Sequence, residues 1–262
     1  MTAKLIEDAR KIVVKFGSNT LADAEGKMNT ALLSEFAQQA AALIKQGKQI
    51  VIVSSGAQVA GLSKLDKWTR KKDLHYRQAL CAVGQVELMK SWRVAFEQYG
   101  FHIGQILLTR EDFNDSNRTL NMRNTIFTLA DENIIPIINE NDTVSVEEIK
   151  IGDNDTLAAQ SAILWSADLL ILFSDIDGVY DKNPKEFVDA KLIEEVKNID
   201  ELRKNIDIGG TNNFGTGGIA TKIDAAQMAL SYGIPTILAH GGKPRSLETL
   251  AAGGQKATAF IA

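Results

Sequence analysis

The chain has 262 residues, 45% hydrophobic and 24% charged, with 29 Lys and Arg against 33 Asp and Glu. That length can bury a full core without staples and predicts one large domain or two small ones. The net charge of −4 argues against a broad basic face for nucleic acid. A single cysteine, Cys81, excludes an internal disulfide and the paired C-x-x-C of structural zinc.

Taken in chain order, the start from Met1 to Lys11 sets Glu7 and Asp8 among its basic residues, unlike a signal or transit peptide. Ile12–Phe16 predicts a strand, followed by a helix over Thr30–Gln46. Gln49–Val53 is a second strand candidate, and Leu74–Tyr99 a long helix. His102–Leu108, helix Thr119–Glu132 and Ile134–Ile138 continue the alternation. Helix Thr156–Trp165, strand Leu169–Phe173, helix Ile219–Tyr232 and strand Thr236–Ala239 complete it. Most of the strand candidates are apolar nearly throughout, as parallel strands buried on both faces are. Gly47, Gly100 and Gly233 each stand between a helix and a strand, where a left-handed C-terminal cap belongs. The expected fold is α/β, a three-layer αβα sandwich with a largely parallel central sheet, built as one domain over residues 1–262. Residues 139–153 alternate as a small β-hairpin does. Residues 175–218 are polar and Gly/Asn-rich with weak periodicity, and long loops of that kind are often functional. No apolar run approaches the ~20 residues of a membrane span, so a cytoplasmic protein with no membrane partner is expected.

Ligands of open α/β sheets sit beyond the carboxyl ends of the strands, so the residues just after each strand are informative. Lys15-Phe16-Gly17-Ser18-Asn19 sets an ammonium and a glycine turn where they can face one anion, although a surface lysine beside an ordinary turn reads the same way. Ser54-Ser55-Gly56-Ala57 runs into a helix start able to receive a carboxylate or phosphate, or to be capped by serine. Asn139-Glu140-Asn141-Asp142 and Gly152-Asp153-Asn154-Asp155 concentrate carboxylates and amides. One of them can cap the next helix, but a cap accounts for one residue and not six. An amino group on a ligand, a metal ion or a pair of lysines would account for the rest. Ser174-Asp175 comes after the fifth strand, with Asp177-Gly178 and Asn183-Pro184 reading first as turns.

The segment Gly209–Lys222 has five glycines in its first ten positions, a backbone free to wrap an anion. Lys222 then falls in the first turn of a helix, against the helix dipole, and a bound anion would reverse that penalty. Gly215-Thr216-Gly217-Gly218-Ile219-Ala220 formally fits a dinucleotide fingerprint, but no clear strand precedes it and the acidic partner is missing. The Walker pattern occurs nowhere. His75, His102 and His240 share no ligand spacing, and Cys81 among Ala79, Leu80, Ala82 and Val83 reads as a buried structural thiol.

Two lysines, a Gly-rich loop, Ser-Gly at a second helix start and an Asp/Asn cluster point to phosphoryl transfer. Ammonium groups and Mg²⁺ offset the repulsion between an anionic nucleophile and a terminal phosphate. A carboxylate acceptor needs no general base, which suits the lack of an evident one. On these segments, in this order along almost the whole chain, the sequence resembles the glutamate 5-kinases of the amino-acid kinase superfamily, which share the carbamate kinase-like fold.

The resemblance implies ATP-dependent phosphorylation of the L-glutamate side-chain carboxylate to glutamyl 5-phosphate, the first step of proline biosynthesis. It implies Lys15 and Lys222 on the transferring phosphate, with Asp155 orienting both. Glutamate would be bound by Ser55, Asp142 and Asn154, with Gly56, Ala57, Asn139 and Asp153 close by. The backbone N–H groups of Gly17 and Gly56 would face the phosphoryl group. Ser174, Asp175, Thr216, Gly217, Gly218, Ile219, Ala220, Thr221 and Lys222 would line the ATP site. Mg²⁺ would ride mainly on the nucleotide phosphates, with few dedicated protein ligands and no metal-ligating residue assigned. Ser54 stands where the family often has Thr. Many members carry a C-terminal domain resembling RNA-modification modules, the PUA domain, and this chain is expected to lack it. A homo-oligomer, dimer or tetramer, and feedback inhibition by proline are further implications of the resemblance.

Overall fold

Six apolar runs form the strands that the alternation predicts, each within two residues of its expected end. They are β1 (Lys11–Phe16), β2 (Gln49–Ser54), β3 (Ile103–Leu108), β4 (Ile135–Glu140), β5 (Leu169–Ser174) and, later in the chain, β9 (Thr236–His240). The computed structural model describes residues 1–65, 73–145, 154–184, 186–206 and 218–262. Within these the helices are α1 (Thr2–Asp8), α2 (Ser18–Leu21), α3 (Thr30–Lys45), α4 (Ala57–Leu65), α5 (Leu74–Glu97), α6 (Ser116–Asp131), α7 (Asn154–Trp165), α8 (Ile199–Asn205), α9 (Ile219–Leu230) and α10 (Ser246–Ala251). Asn29, Asp73 and Asp115 cap α3, α5 and α6 by accepting from backbone N–H groups of the first turn, the preferred N-cap chemistry. Gly47, Gly100 and Gly233 have φ of 91°, 81° and 75°, as their place after a helix demands.

Among the described residues the main sheet has eight strands in the order β3-β4-β2-β1-β5-β9-β10-β8. Every neighbouring pair is parallel except β9 with β10. Over its described residues the stretch 175–218 is less irregular than expected. It contributes β6 (Val179–Tyr180), β7 (Leu192–Ile193), β8 (Glu195–Val196) and α8, elements too short to leave a periodic signal. The antiparallel β10 (Ala257–Phe260) and helix α1 likewise leave none. The hairpin expected over 139–153 is corrected in its first part. Asn139 and Glu140 prolong β4, and the N–H groups of Val144 and Ser145 both turn back to the carbonyl of Asn141; the remainder lies outside the described residues.

Two cores flank the sheet, and strand parity decides which side chain enters which. Ile12, Val14 and Phe16 pack with α3, α4 and α5, whereas Val13 packs with α6, α7 and α9. Lys15 shares the parity of Val13, so it projects towards α7 and α9. On the other face α4 and α5 cross at backbone contact. A Cβ at Gly84 would lie 1.7 Å from the Ala57 carbonyl oxygen, and one at Gly61 2.1 Å from that of Leu80. Only glycine allows this approach, which sets α5 close beside the β2–α4 turn.

Candidate active site

The sheet order places the ends of β4, β2, β1 and β5 side by side. Asn139, Ser55, Gly17 and Ser174 therefore lie along one carboxyl edge. The chain moves from β1 to β2 on one side and later returns to β5 on the other, so the middle of this row is a topological switch point.

At its centre lies a buried ion triad. Lys15 Nζ is 2.6 Å from Asp155 Oδ1, and Lys222 Nζ is 3.1 Å from Asp155 Oδ2. Thr221 Oγ1, also 2.9 Å from the Gly218 carbonyl, is 2.8 Å from the same Asp155 oxygen. Asp155 is fully buried, and Lys15 and Lys222 are only 4% and 7% exposed. Burial by itself would raise the Asp155 pKa. The Lys15 and Lys222 charges and the hydrogen bonds from Lys15 and Thr221 overcome it, and hold the carboxyl below the usual carboxylate range. Burial pushes the Lys222 ammonium down, and the Lys15 charge adds to this, against the upward pull of Asp155. The lysine in the first turn of α9 is thus answered first by a protein carboxylate, not only by a future ligand. Even so, one carboxylate touches two ammonium groups, so the triad itself carries an unbalanced positive charge.

On one side of the triad runs a chain of buried amides. Asn154 Nδ2 donates to Ser55 Oγ at 2.6 Å and to Asn139 Oδ1 at 3.0 Å. The Glu140 N–H donates to the same Asn139 oxygen at 2.9 Å, and Asn139 Nδ2 donates to Gln85 Oε1 at 2.9 Å. Asp142 lies past the end of β4, where Gln78 Nε2 donates to its carbonyl at 3.1 Å. Burial pushes its carboxyl pKa up to about 6, against the Cys81 hydrogen bond and the Arg77 charge, which pull it down. Gly56 adopts φ +103°, with a Cβ position 3.1 Å from Leu21 Cδ1, and Ala57 opens α4 behind it.

On the other side Ser174 Oγ donates to Asp175 Oδ1 at 3.1 Å, and Asn19 Nδ2 to Asp175 Oδ2 at 3.4 Å. Burial would raise the Asp175 pKa, but its own backbone N–H, Ser174, Asn19 and the Lys222 charge lower it overall. Gly218 precedes the first turn of α9, and Ile219, Ala220, Thr221 and Lys222 form it. The Gly17 N–H donates to the Phe173 carbonyl at 3.4 Å, so it is engaged by the neighbouring strand instead of facing outward as expected. Asp153, Thr216 and Gly217 lie outside the described residues.

The residues missed from sequence are those of α5. Gln78, Cys81 and Gln85 occupy one face at helical spacing and approach Asp142 and Asn139. Cys81 is buried and in no disulfide, as expected, yet its thiol also hydrogen-bonds a site carboxylate. Its spacing from Gln78 and Gln85 is the one signal in the sequence, and it needs the fold to acquire meaning.

Residues 10–240 match the amino acid kinase family. The chain belongs to the amino acid kinase family. Within that family, a glutamate 5-kinase of Alkaliphilus metalliredigens (strain QYMF) is 61% identical over 262 residues, covering all of this chain and 99% of the relative. A glutamate 5-kinase of Alkaliphilus oremlandii (strain OhILAs) is 57% identical, with the same two coverages. Among solved structures, the UMP kinase of Ureaplasma parvum aligns with a TM-score of 0.66 at 15% identity, covering 97% of this chain and 99% of that one. At that identity the likeness concerns the fold alone, and it agrees with the parallel sheet described above.

Proposed function

We infer that this amino acid kinase transfers the terminal phosphoryl group of ATP to the side-chain carboxylate of L-glutamate, forming L-glutamyl 5-phosphate, the opening reaction of proline biosynthesis. The observation that carries the chemistry is the buried Lys15–Asp155–Lys222 triad, set between an amide-lined side and a Ser174–Asp175 side. The high identity to glutamate 5-kinases along the whole chain supports the acceptor.

In this reading a glutamate carboxylate oxygen attacks the terminal phosphorus. A new O–P bond forms, the bond from that phosphorus to the bridging oxygen breaks, and ADP leaves with the electron pair. The acceptor is already ionised at neutral pH, so no proton has to be removed. Lys15 and Lys222 hold the phosphoryl oxygens from opposite sides, where charge spreads in the transition state. Asp155 fixes both ammonium groups, and its charge pulls the Lys222 pKa up against the lowering by burial. Ser55, Asn154 and Asn139 hold glutamate, with Gly56, Ala57 and Asp153 alongside, and the Asp142 carboxylate faces its α-ammonium group. Ser174, Asp175 and residues 216–222 receive the nucleotide.

Both Asp155 oxygens are engaged by lysines, which makes it a poor metal ligand, and no cluster of three acidic, His or Cys groups suited to a metal occurs among the described residues. Such a donor set fits Mg²⁺ held mainly by the nucleotide phosphates, where it would offset their charge. The same reading makes the enzyme a cytoplasmic homo-oligomer, dimer or tetramer, with proline as a feedback inhibitor; sizing chromatography and proline titration test these two points.

The deciding experiment measures ADP release with L-glutamate, N-acetylglutamate, L-aspartate and UMP, with hydroxylamine present to trap an acyl phosphate. Glutamate-dependent release with hydroxamate formation is expected. Equal turnover with the other acceptors, or ADP release with no hydroxamate, would overturn the assignment.

A further inference from the structure

We propose that Gln85 is a positioning residue of the acceptor site, one that sets the orientation of the Asn139 amide and, through it, of Asn154 and Ser55. The inference rests on the reading that glutamate binds on the Ser55–Asn154 side.

The polarity of the amide chain is fixed at one backbone group. The Glu140 N–H can only donate, and it lies 2.9 Å from the side-chain oxygen of Asn139, so that oxygen must point towards it. The Asn139 NH₂ group is then directed at Gln85, which must present an acceptor and does, with Oε1 at 2.9 Å. With its oxygen so placed, Asn139 accepts from Asn154 Nδ2, and the same nitrogen donates to Ser55 Oγ. The Ser55 hydroxyl, accepting there, keeps its own proton for another direction. Turning Asn139 over would set its NH₂ against the Glu140 N–H and Asn154 Nδ2, and turning Asn154 over would set its oxygen against the Asn139 oxygen, at a buried site where an unmade hydrogen bond is costly.

Gln85 itself is buried, and its Nε2 has no hydrogen-bond partner. The side chain is therefore held for its oxygen, and its donor is left unsatisfied for the sake of that contact. The close crossing at Gly61 and Gly84 brings the adjacent residue within reach of β4. Asn139, at 1% exposure, has a neighbour on each side and depends on Gln85 for the side away from Asn154.

The test compares Gln85→Met, which keeps the length and loses the acceptor, with Gln85→Glu, which keeps an acceptor oxygen. For Gln85→Met we expect the KM for glutamate to rise about 10-fold or more, with kcat and the KM for ATP within about 3-fold. Gln85→Glu should bring the glutamate KM back to within about 3-fold of the parent. Gln85→Ala, which admits water, carries the same expectation as Gln85→Met and replaces it if that variant does not fold. A glutamate KM left within about 2-fold by the deletion variants, an equal rise in both KM values, or no recovery with Gln85→Glu would overturn the proposal. Asn154→Ala separates the two levels. If it leaves the glutamate KM unchanged, the placement of glutamate itself fails; if it raises that KM while the Gln85 variants do not, only the role of Gln85 fails.

Discussion

Gly84→Ala tests whether the α4–α5 crossing is what brings α5 to the active site. The added methyl carbon would sit 1.7 Å from the Ala57 carbonyl oxygen, 2.4 Å from the Gly61 nitrogen and 2.8 Å from the Ala57 carbonyl carbon. All three are backbone atoms, so no side-chain rotation relieves the overlap. The helices must move apart by roughly 1.5 Å to reach ordinary contact. Alanine gains about 1 kcal/mol over glycine in a helix interior, while forcing a methyl group into a closed contact costs about 1–3 kcal/mol and, where two helix backbones have to move apart as here, about 3–5 kcal/mol. A net loss of about 2–4 kcal/mol is expected, which for a protein of this length lowers Tm by about 5–12 °C. Because Gln85 and Cys81 ride on the displaced helix, the KM for glutamate should rise while that for ATP changes little. Calorimetry and initial-rate kinetics read the two effects. Gly26→Ala serves as the control: its φ is +75° and nothing lies within 4 Å of the added carbon, so it should cost only about 1 kcal/mol, from backbone strain. A Gly84→Ala protein as stable as the parent would refute the packing argument.

Asp155→Asn leaves Lys15 and Lys222 facing each other without a counter-charge. It should lower kcat at least 100-fold and stability by about 3–5 kcal/mol, read by ADP release and denaturant unfolding; near-parent turnover would contradict the triad. Lys15→Ala and Lys222→Ala should each lower kcat by about 100-fold or more, on the scale of losing one electrostatic contact to the transition state, in the same assay. Asp142 has its pKa raised from 3.8 to about 6, so its ionisation opposes folding. The stability it contributes is complete below about pH 4 and is lost as pH rises through about 6. Asp142→Asn should therefore be more stable than the parent at pH 7, by on the order of 2 kcal/mol, with the Tm difference shrinking towards pH 4. The same variant should lose stabilisation by added glutamate, and parent kcat/KM for glutamate should fall as pH drops below about 6. A pH-independent Tm difference would refute this reading.

Six of the eight strands described in the sheet, and the main helices between them, were legible because burial on both faces makes most of these strands nearly continuous apolar runs. Lys15 interrupted such a run, and the segments 139–142 and 152–155 held more carboxylates and amides than a helix cap uses. What the sequence could not supply is which polar groups meet. Lys15, Asp155 and Lys222 are separated by 140 and 67 positions, and only strand parity together with the packing of α7 and α9 brings them within 3.1 Å. The electrostatic oddity of a lysine at a helix start was visible in sequence and pointed to an anion. Tertiary structure decided that the first such anion is Asp155, leaving one positive charge for the substrate. Gln85 marks the other limit. A glutamine on a long helix has no local signature, and its part in the site depends on two glycines that let two helices touch, a contact that no one-dimensional pattern contains.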